Sequence, residues 1–260
     1  MKSRIMSANL DLAKKGHARV SVIIPLYNTR DYLTETLQSL HAQRWENLEV
    51  IAVDDGSSDD SAELFLQLCP AGILFRQKNQ GPSIARNTAL HAATGDYIAF
   101  LDGDDLWPVG KIAAQVQRLE NDSQLEATLG FVRLFTDDPI AGRQWGTPFF
   151  LFLLGGMLAR RSMFAPERVG VFDAARFPYM GEDTDWFLRA WESGRVMDIV
   201  EEPTIFYRRR SGSLTHNNAD TKRSFAGLIM TSLARRRSGG GPARPLPSTL
   251  RIPAMLKPSV

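Results

Sequence analysis

The chain has 260 residues, 43% of them hydrophobic and 23% charged, with a net charge of +2. That length can bury a substantial core in one large domain or one domain with appendages, and the near balance of charge gives no sign of a nucleic-acid binder. A single cysteine, Cys69, excludes an intramolecular disulfide and a cysteine metal cluster; it reads as a small buried hydrophobe and fits a reducing cytoplasm.

Met1 to Arg19 lacks the apolar core of a signal peptide and reads as a flexible leader, residues 1–19. Val20 to Pro25 is a β-branched run suited to a buried parallel strand. A helix is expected over Thr29 to Gln43, with Tyr32, Leu33, Leu37 and Leu40 on one face. A second strand, Leu48 to Val53, leads through Asp54-Asp55-Gly56-Ser57 to a helix at Ala62 to Leu68. A short strand at Ile73 to Arg76 and a helix at Pro82 to Ala93, opened by Gly81, precede the apolar run Tyr97 to Leu101. This alternation of strand and helix argues for an α/β fold with a mostly parallel sheet, in which ligands bind beyond the carboxyl ends of the strands.

Asp102-Gly103-Asp104-Asp105 directly follows the last of these strands. Several carboxylates at the end of a buried strand are costly unless a cation or hydrogen-bond donors meet them. The chemistry suits a divalent ion such as Mg²⁺ or Mn²⁺ shared between carboxylates and a phosphorylated ligand. A solvated acidic turn is the alternative for an isolated motif of this kind. No G-x-G-x-x-G follows the first strand and no G-x-x-x-x-G-K-[ST] occurs, so the phosphate loops of dinucleotide oxidoreductases and P-loop enzymes are absent from the sequence.

Pro148 to Leu158 is the longest apolar stretch, far short of the roughly 20 residues of a membrane-spanning helix. Residues 222–260 carry eight Lys or Arg and no Asp or Glu, which leaves the rest of the chain acidic. The Gly-, Pro- and Arg-rich segment 235–260 reads as a disordered basic tail. Such a tail can also meet an anionic membrane surface.

Four segments in order carry a family resemblance: Val20 to Asn28, Val53 to Asp59, Asn79 to Asn87, and Phe100 to Asp105. Together they resemble the signatures of family 2 glycosyltransferases with the GT-A fold. The resemblance continues through Gly155 to Arg161, Val169 to Asp173 and Gly181 to Ala190, and so covers about residues 20–216. It implies a GT-A domain over 20–220, with a nucleotide-binding half at 20–105 and an acceptor half at 106–216. The implied reaction is inverting, metal-assisted transfer of one sugar from a nucleotide-diphosphate sugar, with UDP the expected nucleotide, to a glycan, lipid-linked, peptide or small-molecule acceptor. No nucleic-acid partner is implied. A cytoplasmic location follows, with the tail available to the inner face of the membrane.

By the same resemblance Pro25, Tyr27 and Asn28 line the nucleotide pocket, Asp54 and Asp55 contact the base, and Ser57 and Arg86 support the nucleotide. Asp102 and its neighbour Gly103 lie near the ribose, and Asp104 binds the metal. Structural roles compete with several of these: Pro25 can end a strand, Ser57 can cap the next helix, and Arg86 can pair with Asp54 or Glu63. Asp183 is the implied catalytic base and Glu182 its reserve. Asp185 can simply oppose the helix dipole, and Trp186 is either an acceptor wall or core. Where many relatives carry His, this chain has Arg210, whose fork can clamp diphosphate oxygens; His216 is the other metal candidate, against a solvated loop histidine. Two further readings are a degenerate nucleotide-binding scaffold, disfavoured because Asp104 and Asp183 are both present, and a sugar-phosphate nucleotidyltransferase, disfavoured because Leu26 to Thr29 is not a Gly-rich loop.

Overall fold

The computed structural model describes residues 18–210, 218–246 and 248–251, with the backbone alone over 218–226. The elements run β1 (Val20–Leu26), α1 (Arg30–His41), β2 (Leu48–Asp54), α2 (Ser61–Leu68), β3 (Ile73–Arg76), α3 (Pro82–Ala92), β4 (Tyr97–Phe100) and α4 (Lys111–Asn121). They continue with β5 (Ala127–Asp138), β6 (Gly142–Trp145), β7 (Leu158–Arg160), α5 (Glu182–Glu192), β8 (Met197–Arg208), α6 (Asn218–Arg236) and β9 (Leu250–Arg251). The sheet order is β3-β2-β1-β4-β7-β5-β8-β9, with β6 paired to β5. The β1–β2, β1–β4, β2–β3, β5–β8 and β8–β9 pairs are parallel, while β7 is antiparallel to both neighbours. The expected mostly parallel α/β sheet is therefore present, with β7 reversing direction at its centre.

Strand alternation places successive residues of β1 on opposite faces. Ile23 joins Ile51, Ile98, Phe100, Ala85, Ala89, Trp186 and Phe187 under α3 and α5. Val22 and Ile24 join Leu33, Leu37, Leu40, Ile112 and Val116 under α1 and α4. The two apolar layers explain why β1 reads as a continuous hydrophobic run. Tyr32 departs from the face expected for it: it lies outside this core, beneath two arginines described below.

Register fixes where the loops emerge. Leu26 pairs with Asp54, whereas β4 ends at Phe100 opposite Ile23, and Leu101 N–H still donates to Ile23 O at 3.0 Å. The loops after β1, β2 and β4 thus open at one edge of the sheet. Pro25 lies two residues past the last β1–β4 pair, so its missing N–H takes no bond from the ladder.

Both chain ends depart from expectation where they are described. Ala18 O accepts from Trp45 Nε1 at 3.0 Å, and Arg19 pairs with Glu49 at 2.9 Å, so these two residues are anchored rather than part of a loose leader. The segment from 235 is not a featureless tail. Arg235 pairs with Asp185 at 2.8 Å and Glu192 at 2.6 Å, Leu228 is buried against Gly181, and β9 extends the sheet beside β8. The sequence window around Arg235 looks unable to fold alone because its partners are carboxylates of α5, about 45 residues earlier in the chain. The folded unit therefore extends past residue 220. Residues 1–17, 211–217, 247 and 252–260 lie outside the described residues, and His216 with them. Among the described residues no helix is long and apolar enough to cross a membrane.

Candidate active site

The loops after β1 and β2 are tied together by short polar side chains. Asn28 has a positive φ of 52°; its N–H donates to Ser57 Oγ at 3.1 Å and its Oδ1 accepts from Ser58 N–H at 2.9 Å. Asp54 Oδ1 accepts from Ser57 N–H at 3.0 Å. Ser57 therefore links two loops and does not cap α2. Asp55 is buried and accepts three donors, Gln77 Nε2 at 2.8 Å, Gln80 N–H at 2.9 Å and Gly81 N–H at 2.8 Å. Much of its accepting capacity is thus spent on shaping the loop that opens α3. Tyr27 stands exposed at the rim, and Pro25 forms the strand end beneath it.

Gly81 adopts φ +90°, and a Cβ there would fall 2.3 Å from Pro178 O and 2.9 Å from Tyr179 Cδ1. Ser83 Oγ also donates to Phe177 O. The loop leading into α5 consequently lies directly on the loop leading into α3. A glycine with no side chain is what allows that approach.

At the third loop, Asp102 Oδ1 accepts from Arg86 Nη2 at 2.7 Å. Gly103 is a packing position: its carbonyl accepts from Thr36 Oγ1 at 3.1 Å, and a Cβ would lie 2.8 Å from Thr29 Oγ1. Asp104 Oδ2 accepts from Arg210 Nε at 2.8 Å. Asp105 is buried and accepts from Arg208 N–H at 2.9 Å. Burial, with the neighbouring Asp102 charge, raises the Asp104 pKa; burial and then Asp104 and Asp102 push Asp105 well above the usual carboxylate range. The third loop thus holds more negative charge than its arginines neutralise.

Asp102 and Asp104 form a fitting donor set for a hard divalent ion. Each has one oxygen held by an arginine and the other outside that pair, and Mg²⁺ or Mn²⁺ commonly takes one or two protein carboxylates with substrate phosphates and water. Among the described residues there is no cluster of three or more metal-ligating side chains.

Gly181, at φ +91°, turns the chain into α5 and places three acids in its first turn. The three have different fates. Asp185 is buried between Arg189 and Arg235, each at 2.8 Å, and is structural. Glu182 is buried against Arg86 Nη1 at 2.5 Å, which withdraws it from the role of reserve base. Among the described residues Asp183 forms no ion pair with an arginine, although the Arg86 charge acts on it from nearby, and its Oδ1 accepts from Thr184, N–H at 2.6 Å and Oγ1 at 3.3 Å. Burial, followed by repulsion from Glu182, raises its pKa to about 7. That value suits a group that must accept a proton near neutrality.

Trp186 is a correction. It is fully buried, stacks on Phe164 at a centroid distance of 4.9 Å and donates from Nε1 to Gly170 O at 2.8 Å, so it is core and not an acceptor wall. Phe164, Phe172 and Phe187 surround its ring. Arg86 pairs with neither Asp54 nor Glu63. It is buried between Asp102 and Glu182, and although burial would lower its pKa, those two carboxylates raise it.

A second layer around Asp104 has no local sequence signature. Arg208 is buried, with Nε donating to Asp104 O at 2.8 Å, Nη2 to Glu35 at 2.6 Å and Nη1 to Asp137. Arg143 from β6 shares Glu35 at 2.6 Å and Asp137 at 2.7 Å. Tyr32 lies within cation–π range of both Arg208, 5.0 Å, and Arg210, 5.2 Å. Glu35 and Asp137 look like ordinary surface acids until the fold joins them.

A mixed sheet with three loops at one edge, a paired-aspartate turn and a half-buried carboxylate at the start of the facing helix defines a GT-A nucleotide-sugar-binding domain. The comparisons agree. The Glycosyl transferase family 2 profile matches residues 21–147. The UDP-Glc:alpha-D-GlcNAc-diphosphoundecaprenol beta-1,3-glucosyltransferase WfaP of Escherichia coli is 39% identical over 205 residues, covering 76% of this chain and 80% of that protein. The chain belongs to glycosyltransferase family 2. Four further curated relatives are matched over under a third of their own length, as with an uncharacterized glycosyltransferase of Rickettsia felis, 42% identical over 40% of this chain and 18% of that one. Among solved structures, S. aureus TarS with UDP-GlcNAc superposes with a TM-score of 0.65 at 19% identity, over 83% of this chain and 66% of that one. The mannosyltransferase PcManGT of Pyrobaculum calidifontis with GDP-Man and Mn²⁺ gives 0.62 at 20%, over 92% and 72%.

Proposed function

We propose that this chain transfers one sugar from a UDP-sugar to a hydroxyl of a lipid-linked acceptor, with inversion and in a single displacement. The observation that carries the reading is Arg86, which joins Asp102 of the donor corner at 2.7 Å to Glu182 of the base turn at 2.5 Å. One buried cation thereby sets the position of the base relative to the diphosphate site.

In this reading the rim of Pro25, Tyr27, Asn28 and the Asp54 to Ser57 loop holds the nucleoside, with Asp55 keeping the 77–81 loop in shape. A Mn²⁺ or Mg²⁺ ion held by Asp104, with Asp102, would supply charge stabilisation to the departing diphosphate. Arg210 adds donors on the same side. Asp183 accepts the acceptor hydroxyl proton as the new C–O bond forms at the anomeric carbon and the bond to the diphosphate breaks on the opposite face. Glu182, neutralised by Arg86, positions the turn without taking the proton.

Two observations favour a lipid-linked acceptor. WfaP, of which the match covers 80%, is described as a glucosyltransferase for a GlcNAc-diphosphoundecaprenol. Beside the Asp104 layer, Trp145 is an exposed large hydrophobic that packs edge-on against Phe206, whose backbone bridges to Leu106, and Phe149 and Leu151 are exposed a few residues on. Exposed apolar side chains near the site suit an isoprenoid or acyl chain held at a membrane surface. The basic residues after 235 add attraction to an anionic surface.

The test is calorimetric titration of UDP, GDP and dTDP with Mn²⁺ and then with excess EDTA. Binding of UDP that disappears with the metal is the expected result. Equal, metal-independent binding of all three, or none, would overturn it.

A further inference from the structure

The departure of this chain at position 210 has a consequence for the order in which the site fills. We propose that Arg210 is a resident cation on Asp104, so that a divalent ion enters together with the nucleoside diphosphate and not ahead of it; this rests on the donor reading above. Three features of the structure lead there.

First, both carboxylates of the donor corner are already matched. Asp104 is held by Arg210 at 2.8 Å and Asp102 by Arg86 at 2.7 Å. A bare divalent ion approaching Asp104 meets a guanidinium already seated on that carboxylate, which opposes its entry. Second, the two arginines differ in freedom. Arg86 is buried and also bound to Glu182, whereas the Arg210 side chain retains 29% of its exposure and among the described residues pairs with Asp104 alone. Third, Arg208 beside it cannot stand in, because Glu35, Asp137 and the Asp104 carbonyl already take its guanidinium.

Tyr32 supplies the pivot. Its ring lies 5.2 Å from the Arg210 guanidinium carbon, a contact that survives rotation of the guanidinium off Asp104. When the diphosphate arrives, Arg210 exchanges one anionic partner for another, and Asp104 is released to the ion. Diphosphate and metal then bind with positive coupling, each removing the obstacle to the other.

The experiment measures Mn²⁺ binding to the full chain by electron paramagnetic resonance, with no nucleotide and with saturating UDP. Arg210→Gln is compared with Arg209→Gln, an equal charge change at an exposed neighbour. For Arg210→Gln, Mn²⁺ alone should bind about tenfold more tightly than to wild type, and UDP in the presence of Mn²⁺ about tenfold more weakly. Arg209→Gln should match wild type in both. Arg210→Lys, which keeps the charge without the planar fork, should keep the weak binding of Mn²⁺ alone while losing affinity for UDP. Equal metal-only affinity in Arg210→Gln and Arg209→Gln, with wild type still showing UDP-dependent Mn²⁺ uptake, would refute this inference alone. Absence of UDP-dependent uptake in wild type would refute the donor reading with it.

Discussion

Asp183→Asn separates the chemistry of the base from its cost. A carboxyl raised from an ordinary value near 4 to about 7 by burial and Glu182 is held protonated by the fold over that interval, and the difference is worth at most ~4 kcal/mol. The folded-state pKa lies above the unfolded one. Its contribution to stability is therefore complete below about pH 4 and is lost as pH rises through about 7. At pH 8 wild type carries a buried anion next to Glu182, and asparagine does not. Urea unfolding should show Asp183→Asn to be more stable than wild type at pH 8 by up to ~4 kcal/mol, with the gap closing toward pH 4. In the same variant UDP binding should be near normal and sugar transfer lost. The wild-type kcat/KM should rise with pH through about 7, reaching roughly a tenth of its plateau at pH 6. A variant that retains transfer, or a wild-type profile flat from pH 5.5 to 8.5, would remove Asp183 as the base. A variant less stable than wild type at pH 8 would show that the carboxylate has a partner this account lacks.

Arg86→Met leaves Glu182 and Asp102 facing each other without their shared cation; a loss of about 3 kcal/mol is expected in urea unfolding, and less than ~1 would mean that the bridge is not formed. Gly81→Ala forces a methyl to within 2.3 Å of Pro178 O at a backbone φ of +90°, so both stability and UDP affinity should fall; a neutral result would mean that the 177–180 loop does not rest on α3. Asp104→Ala should abolish metal-dependent UDP binding while changing thermal stability little, because Arg210 is exposed enough to regain water; a large loss of apo stability would make Asp104 structural. Arg235→Ala withdraws one of two cations from buried Asp185 and should destabilise by about 1–3 kcal/mol; no change would undock α6 from α5.

Much of the donor side was legible in the sequence because it is local. An apolar run that ends in Asp102-Gly103-Asp104-Asp105, or in Asp54-Asp55-Gly56-Ser57, carries its strand, its turn and its charged groups within a few consecutive residues, and strand alternation then fixes which edge they reach. The same locality put Asp183 at the start of a helix. What the sequence left open was which acid does what, since Glu182, Asp183 and Asp185 lie in one turn and are chemically alike. The tertiary structure decided it through arginines: Arg86 takes Glu182, Arg189 and Arg235 take Asp185, and among the described residues none pairs with Asp183. Trp186 was equally ambiguous, because facing a cavity or a core depends on Phe164 and Gly170, which no nearby residue announces. The basic stretch from 235 looked unstructured for the same reason. Ion pairs hold buried charges across long stretches of chain, and a charge partner, unlike a hydrophobic period or a turn, leaves no pattern at a fixed spacing.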